Sequence, residues 1–386
     1  MRKLITLLLL PMLAGCGSTS GKEPLPVVRG PSGCGKVCQL IGDTDLETGL
    51  PTGNQTLTRS GIYGTDLGAS FEHNGKLWFL FGDTVGTTMD DEDSIAWSQD
   101  ADPEDCLDLT FLTDANGKWI PPVVPGVSLG AFEVPMEGVS AGGSIYAYFT
   151  TDHSEQHSMG RSVLARSDDE GLTFEYIADI SVLGPFLNLS VEVVDNASWP
   201  GLPQSAGQGL LIWGSGEYRL STVSLAFQPL DQIEDPSSIR YFAGPGSWSS
   251  SESDAVPLFE ETCVGELSVM WNPYLEKWLM LYNCGWPRGI VLRTADQPWG
   301  PWSKSAVLFD PDADGGYCHF MHVSWEVEQC DSVHDAGREN EYGGEYGPYQ
   351  IGRFAKATAD GSLVYFTMST WNPYNVVLMR AELVLQ

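Results

Sequence analysis

Five times along the chain a short aromatic-rich run recurs: residues 76–83 (KLWFLFGD), 144–150 (SIYAYFT), 209–214 (GLLIWG), 277–283 (KWLMLYN) and 362–368 (SLVYFTM). The centres lie about 65–70 residues apart, and the last gap is about 85. A second strand-like run follows each, at 162–167, 223–227, 289–294 and 376–380, with a weaker one at 94–98 after the first. Strand hairpins repeated at this period read as propeller blades. The expected fold is therefore all-β, a five-bladed β-propeller closing around a central channel.

An inner strand should precede each aromatic run. Residues 64–71 fill this place in blade one, and Asn74-Gly75 is a hairpin turn between alternating strands. The corresponding segments are 136–140, 265–270 and 353–356 in blades two, four and five. Blade three is the poorest match, and 193–199 is the expected strand. The longest insertions, 86–130 and 311–349, should cover one face and shape a cleft. Ser167, Asp169, Gly171, Thr173 and Phe174 match the Asp box of many propellers, whose role is to hold an outer turn.

The N-terminus reads as a targeting signal. Arg2 and Lys3 precede an apolar stretch over 4–15 that is too short to span a bilayer. Leu13-Ala14-Gly15-Cys16 resembles the bacterial lipobox, in which the Cys16 thiol takes the lipid. The expected organisation is a lipoprotein signal peptide over 1–15, a lipidated cysteine with a flexible tether over 16–33, and a propeller over 34–386. Several acyl chains on one residue anchor stably where one does not. The expected location is the bacterial cell envelope, and Gly17 after the cysteine points to outer-membrane sorting. A monomer is expected.

Net charge is −31, from 51 acidic and 20 basic residues. That excludes nucleic acid, which needs clustered Lys and Arg, and disfavours polyanionic substrates. A neutral polymer such as a polysaccharide fits better. Of the eight cysteines, seven remain beside Cys16 and can pair in an exported chain. Cys263 with Cys284 is the best couple, since the two bracket the fourth-blade hairpin. Cys318 with Cys330 and Cys34 with Cys38 would close small loops, leaving Cys106 over. No cysteine clusters with histidine as zinc requires.

Asp66, Glu137 and Glu266 each lie just inside an expected inner strand, in blades one, two and four. Carboxylates converging at one channel mouth are what glycoside hydrolysis uses. One attacks or activates water, and another protonates the leaving oxygen. The expectation is Asp66 as base or nucleophile and Glu266 as general acid, with Asp83, a third member of the catalytic set at a strand end, and Glu137 positioning substrate or tuning the pair. The alternative is that these acids pair with Arg293 or Arg353, or hold a channel metal. Asp83 has its own alternative as a strand-end cap. Further substrate contacts are expected from Arg293, Asn372 and His322, and from Tyr349 and Trp371 because ring faces stack on sugars and the chain holds 13 Trp and 14 Tyr; His322, in the long insertion, has the alternative of a polar loop residue. Trp371-Asn372-Pro373-Tyr374 echoes residues 271–274, which also fits a repeated packing turn. Asp310, Asp312, Asp314 and Gly315 open like a calcium loop, but Met321 stands where a bidentate Glu belongs, so a solvated acidic turn fits equally. No cofactor is required by this reading, with calcium as the one candidate. No nucleophile elbow, phosphate loop or dinucleotide fingerprint is present.

Several longer motifs carry a family resemblance: residues 64–68 (GTDLG), 80–84 (LFGDT), 264–268 (VGELS), 272–275 (NPYL), 278–283 (WLMLYN), 298–303 (PWGPWS) and 369–374 (STWNPY). Over about residues 61–385 the chain resembles a bacterial family long labelled a domain of unknown function. Some members are endo-acting D-arabinanases that cut the arabinan of mycobacterial cell walls. That family is similar in fold to five-bladed propeller glycosidases of arabinan, xylan and fructan. The resemblance implies hydrolysis of a neutral glycan, an arabinofuranoside polymer foremost. By blade order it suits Asp66 as base, Glu137 as auxiliary acid and Glu266 as acid, although Glu266 falls one blade later than in those relatives. The rival function is a non-catalytic glycan-binding lipoprotein, and a sialidase-like enzyme would need an arginine cluster.

Overall fold

A computed structural model describes residues 26–28, 33–285, 288–323 and 333–385. The signal peptide, Cys16 and nearly all of the tether lie outside the described residues, as does Cys330.

Five antiparallel sheets follow one another along the chain. Blade one is Ile62–His73, Lys76–Gly86, Glu92–Ser98 and Thr110–Phe111, ordered from the channel outwards. Blade two is Pro135–Ala141, Ser144–Thr151, Arg161–Ser167 and Glu175–Val182. Blade three begins with Asn188–Asp195, Gln208–Ser215 and Val223–Pro229, and blade four with Leu267–Asn272, Lys277–Asn283 and Ile290–Ala295. Blade five is Glu345–Gln350, Gly361–Thr370 and Asn375–Leu385. The N-terminal strands Pro26–Val28 and Cys34–Gln39 pair with its outer strand and close the ring.

The second strands read as unbroken apolar runs because both of their faces are covered. Side chains alternate across a strand, so each run feeds two interfaces. Leu77, Phe79 and Phe81 pack toward blade five, against Tyr365, Val376 and Leu378. Trp78 and Leu80 pack toward blade two, against Ala147, Phe149 and Val163. In blade four, Trp278, Met280 and Tyr282 join blade three, while Leu279 and Leu281 join blade five. The core is thus a ring of inter-blade layers, which leaves the axis free for polar side chains.

Two inner strands fall elsewhere than expected. In blade three the strand is Asn188–Asp195, not 193–199. It stops because the Asp195 carboxylate accepts from the Ala197 N–H and starts a 3-10 turn. In blade five the strand is Glu345–Gln350, not 353–356. Pro348 and Gly347 disguised it as the end of an insertion, and Phe354 instead lies in a 3-10 turn. The Asp box has its expected structural role: Asp169 accepts from the Thr173 N–H and hydroxyl, and Ser167 accepts from the Gly171 N–H.

Cys263 bonds Cys284 as expected. Cys38 bonds Cys106 rather than Cys34, and Cys34 is a buried free thiol. Sequence proximity misled there: Cys34 and Cys38 sit on one strand, while the first blade brings Cys106 beside Cys38.

Candidate active site

A cavity of about 620 Å³ opens at one face of the ring, where the inner strands of blades one, four and five and Val134, just before that of blade two, reach it, and blade three adds Tyr218 and Arg219 from beyond its second strand. Asp66, Glu266, Glu345 and Tyr346 line it from three blades. Asp83, Asn283 and Trp371 join them from the ends of second strands.

Asp66 owes its position to an irregular strand. The pairing of Ile62–His73 with Lys76–Gly86 shifts register on both sides of Asp66, and Leu67 is left-handed at φ 64°. Such bulges re-aim a side chain. Opposite Asp66 lies Gly82, where an added Cβ would stand 2.8 Å from Asp66 Oδ1. A glycine is therefore needed for the carboxyl to fit. Tyr346 donates its hydroxyl to Asp66 Oδ2 at 2.9 Å, while Oδ1 is buried with no partner. Burial pushes the Asp66 carboxyl well above the ordinary range, and the charge of Asp83 pushes it further.

Asp83 follows Gly82 with a left-handed φ of 33°, at a register shift against Glu92–Ser98. Its Oδ1 accepts from the Phe132 N–H at 3.0 Å, and Tyr374 donates to its backbone carbonyl at 2.9 Å. Burial raises Asp83 to about 6, with Asp91 and Glu133 adding to the rise and the Phe132 amide and His153 opposing it. Behind both acids lies Asp93, 2% exposed, with Oδ2 unpartnered. Burial and then the charges of Asp83 and Asp66 raise it strongly.

Glu266 stands across the ring, just before Leu267–Asn272. Tyr218 donates to its Oε1 at 2.5 Å, and Arg219 approaches its Oε2 at 3.6 Å. The Arg219 guanidinium also lies 4.6 Å from the Tyr218 ring centre. A second wall cation, Arg288, pairs with Glu345 at 2.9 Å, and Glu345 also accepts from the Gly289 N–H. Cys284 borders the cavity, so the Cys263–Cys284 bridge ties the approach to Glu266 to this wall.

An adjoining hollow of about 350 Å³ shares Asp83, Phe132 and Trp371 with the first and extends past Tyr63 and Tyr374. Four rings on these walls are unusually open: Phe132, Trp371, Tyr342 and Tyr63 are 46–54% exposed. Trp371 donates to Glu341 Oε2 and carries the Arg338 guanidinium 4.6 Å from its ring centre.

The other expected residues lie apart. Glu137 lines a separate cavity of about 370 Å³ further along the channel, with Glu192 and Tyr349. There burial raises Glu137 to about 8, against hydrogen bonds from the Gly138 and Val191 amides. Tyr349 is 1% exposed in that same cavity, and Tyr346 takes the cleft position instead. Arg293 is held by Glu261, Tyr282 and the Ser303 carbonyl, away from the cleft. Arg353 grips Glu72 with two hydrogen bonds, so neither arginine neutralises Asp66, Glu137 or Glu266. Asn372 is fully buried: it donates to the carbonyls of Arg338 and Glu341 and accepts from the Asp335 N–H. Its part is to pin the loop beneath Trp371. His322 is likewise buried, with Nε2 against the Glu339 carbonyl. Asp310 and Asp314 turn carboxylate oxygens toward amides of their own loop, Asp310 toward those of Asp312 and Ala313 and Asp314 toward that of Asp310. Among the described residues the one convergent metal-type group is Glu261, Cys263 and Cys284, whose cysteines are joined in a disulfide.

Sequence reading missed Asp93, Tyr218, Arg219 and Tyr346. A usable signal existed for three of them. Tyr218 and Arg219 follow the blade-three aromatic run much as Asp83 follows that of blade one, and Tyr346 enters its inner strand as Asp66 does.

Residues 52–380 match the family described as a domain of unknown function (DUF4185), and the chain belongs to it. No curated protein matches the sequence. Among solved structures, the chain is similar to a protein of Bacteroides ovatus ATCC 8483 provisionally named a hydrolase. The TM-score is 0.54 at 12% identity, over 84% of this chain and 87% of that one. It is also similar to a GH43 β-1,3-galactosidase, with TM-score 0.50 at 9% identity, over 89% of this chain and 59% of the other. At such identities the likeness is one of fold, the five-bladed propeller.

Proposed function

We propose, with that family membership as the premise, that this chain is a glycoside hydrolase acting on a neutral polysaccharide, with an arabinofuranoside polymer as the substrate class. One observation carries the reading. Two carboxyls raised by burial, Asp66 and Asp83, open from neighbouring strands onto a ring-lined cleft whose far wall bears Glu266. Interacting acids of this kind hold protons as a pair. The more strongly raised member, Asp66, carries the proton for the leaving oxygen. Asp83, ionised above about pH 6, draws a proton from the attacking water. The water oxygen bonds the anomeric carbon as the glycosidic C–O bond breaks. Glu266, oriented by Tyr218 and Arg219, binds a sugar hydroxyl. These roles differ from blade-order expectation, which made Asp66 the base and Glu266 the acid.

Several features support a neutral sugar. Both arginines on the cavity wall, Arg219 and Arg288, already face carboxylates, so neither is free to bind a substrate acid. The open rings of Phe132, Trp371 and Tyr342 offer apolar faces for sugar C–H groups. The similar structures carry hydrolase and galactosidase names. In the same proposal the protein is an exported monomer held in the bacterial envelope by acyl chains on Cys16, and it works without a cofactor.

A reducing-end assay of the domain against neutral polysaccharides, arabinans included, tests the reading. Release should fall at least about 100-fold in Asp66→Asn, the usual scale of acid–base catalysis. Glu266→Gln should chiefly raise KM. Sugar binding with no release by the folded protein on any polymer would replace hydrolysis with glycan binding.

A further inference from the structure

The N-terminal strands fix the face of the propeller from which the chain arrives. In blade five, Glu345 pairs with Thr370, so the cleft end of Gly361–Thr370 is Thr370 and the far end is Gly361. Gly361 pairs with Val384, so Asn375–Leu385 runs from the cleft end down to the opposite face. Pro26 pairs with Leu385, at the bottom of that strand. Cys34–Gln39 then climbs the same strand, from Ala381 toward Val377. Two separate strands therefore agree that the chain arrives from the face opposite the cleft.

The length of chain outside them sets the reach. Ten residue steps separate Cys16 from Pro26. Fully extended, they span at most roughly 33–36 Å. The ten-residue strand Gly361–Thr370 alone covers roughly 30 Å of blade height. A chain fixed at Cys16 would be used up in passing the blade and could not lay the cleft rim on the bilayer.

We propose that the acylated protein sits with the hairpin-turn face of its blades toward a phospholipid bilayer and its cleft directed away from it. This rests on the lipid anchoring at Cys16 proposed above. The orientation selects polymer that lies outside the anchoring membrane over glycan attached at its surface.

The full-length protein, purified from membranes and reconstituted in phosphatidylcholine vesicles bearing a headgroup-linked acceptor dye, provides the test. A donor is placed on Leu220→Cys at the cleft rim, 72% exposed, or on Ala359→Cys in the exposed turn at the far end of blade five. Among the described residues the one free thiol, Cys34, is buried and leaves the labels selective. Energy transfer should be several-fold stronger from position 359 than from position 220. Inserting about 30 Gly/Ser residues after Cys16 should narrow that difference, because such linkers behave as flexible coils. Equal or reversed transfer with the native tether overturns the orientation. Mass spectrometry of the same sample reads the anchor itself: an unacylated Cys16 overturns both the anchoring and the orientation, whereas an acylated Cys16 with reversed transfer overturns the orientation alone. Neither result bears on the reducing-end assay.

Discussion

Replacing Asp83 by Asn should make the protein more stable at neutral pH while removing activity. In the fold Asp83 is raised from 3.8 to about 6, chiefly by burial. A carboxyl raised by folding binds its proton more tightly in the folded than in the unfolded chain. Its contribution is therefore least unfavourable below about pH 4, and stability is lost as pH climbs through 6. At about 1.4 kcal/mol per unit, the full loss above pH 6 is about 3 kcal/mol. Asn has no charge to desolvate, keeps an acceptor for the Phe132 N–H, and tolerates the left-handed φ of 33°. It also relieves Asp66, whose carboxyl the Asp83 charge helps to raise. Urea unfolding of both proteins from pH 4 to pH 8 should give curves that coincide near pH 4 and separate by up to about 3 kcal/mol by pH 8, with Asn the more stable. Equal pH dependence, or a less stable variant at pH 8, would refute the claim that Asp83 is held as a strained acid. The activity loss should be about 100-fold or more.

Trp371 and Asn372 should separate binding from stability. Trp371→Ala should raise KM with kcat largely kept, measured on whichever polymer is cleaved, because the ring is an exposed platform. Asn372→Ala should instead cost about 2–3 kcal/mol in denaturant unfolding, since it leaves buried loop groups unpaired. The two disulfides should rank by the chain they enclose. Removing Cys38–Cys106, which spans 68 residues, should cost about 4 kcal/mol, and removing Cys263–Cys284, spanning 21, about 3 kcal/mol. Differential scanning calorimetry of the paired Ser variants measures both, and the opposite ranking would count against an unfolded-chain origin.

Much of the fold was legible because a second strand buried on both faces must be apolar throughout, and five such runs stand out in any local reading. Asp66 and Glu266 were legible for a related reason: each is a carboxylate placed just where an inner strand enters the channel. Tyr349 and Tyr346 show where that reasoning fails. Both lie on Glu345–Gln350, yet the register shift between them sends one to the cleft and the other to the lower cavity. Glu137 also follows a register shift, but Tyr148 rather than a glycine lies opposite it, and it lines the cavity further along the channel.

By itself the sequence determined five blades, the Asp box turn, the Cys263–Cys284 bridge and the carboxylates that meet the axis. All of these follow from local pattern: strand period, turn residues and short spacing. Tertiary structure alone decided which of those carboxylates share a cavity. It set Asp93 behind Asp66 and Asp83, brought Tyr218 and Arg219 onto Glu266, and turned Arg293, Asn372 and His322 into buried supports. The physical reason is that burial and charge coupling depend on neighbours from other strands and other blades. Asp66 accepts from Tyr346, 280 residues away, and no window of sequence contains both.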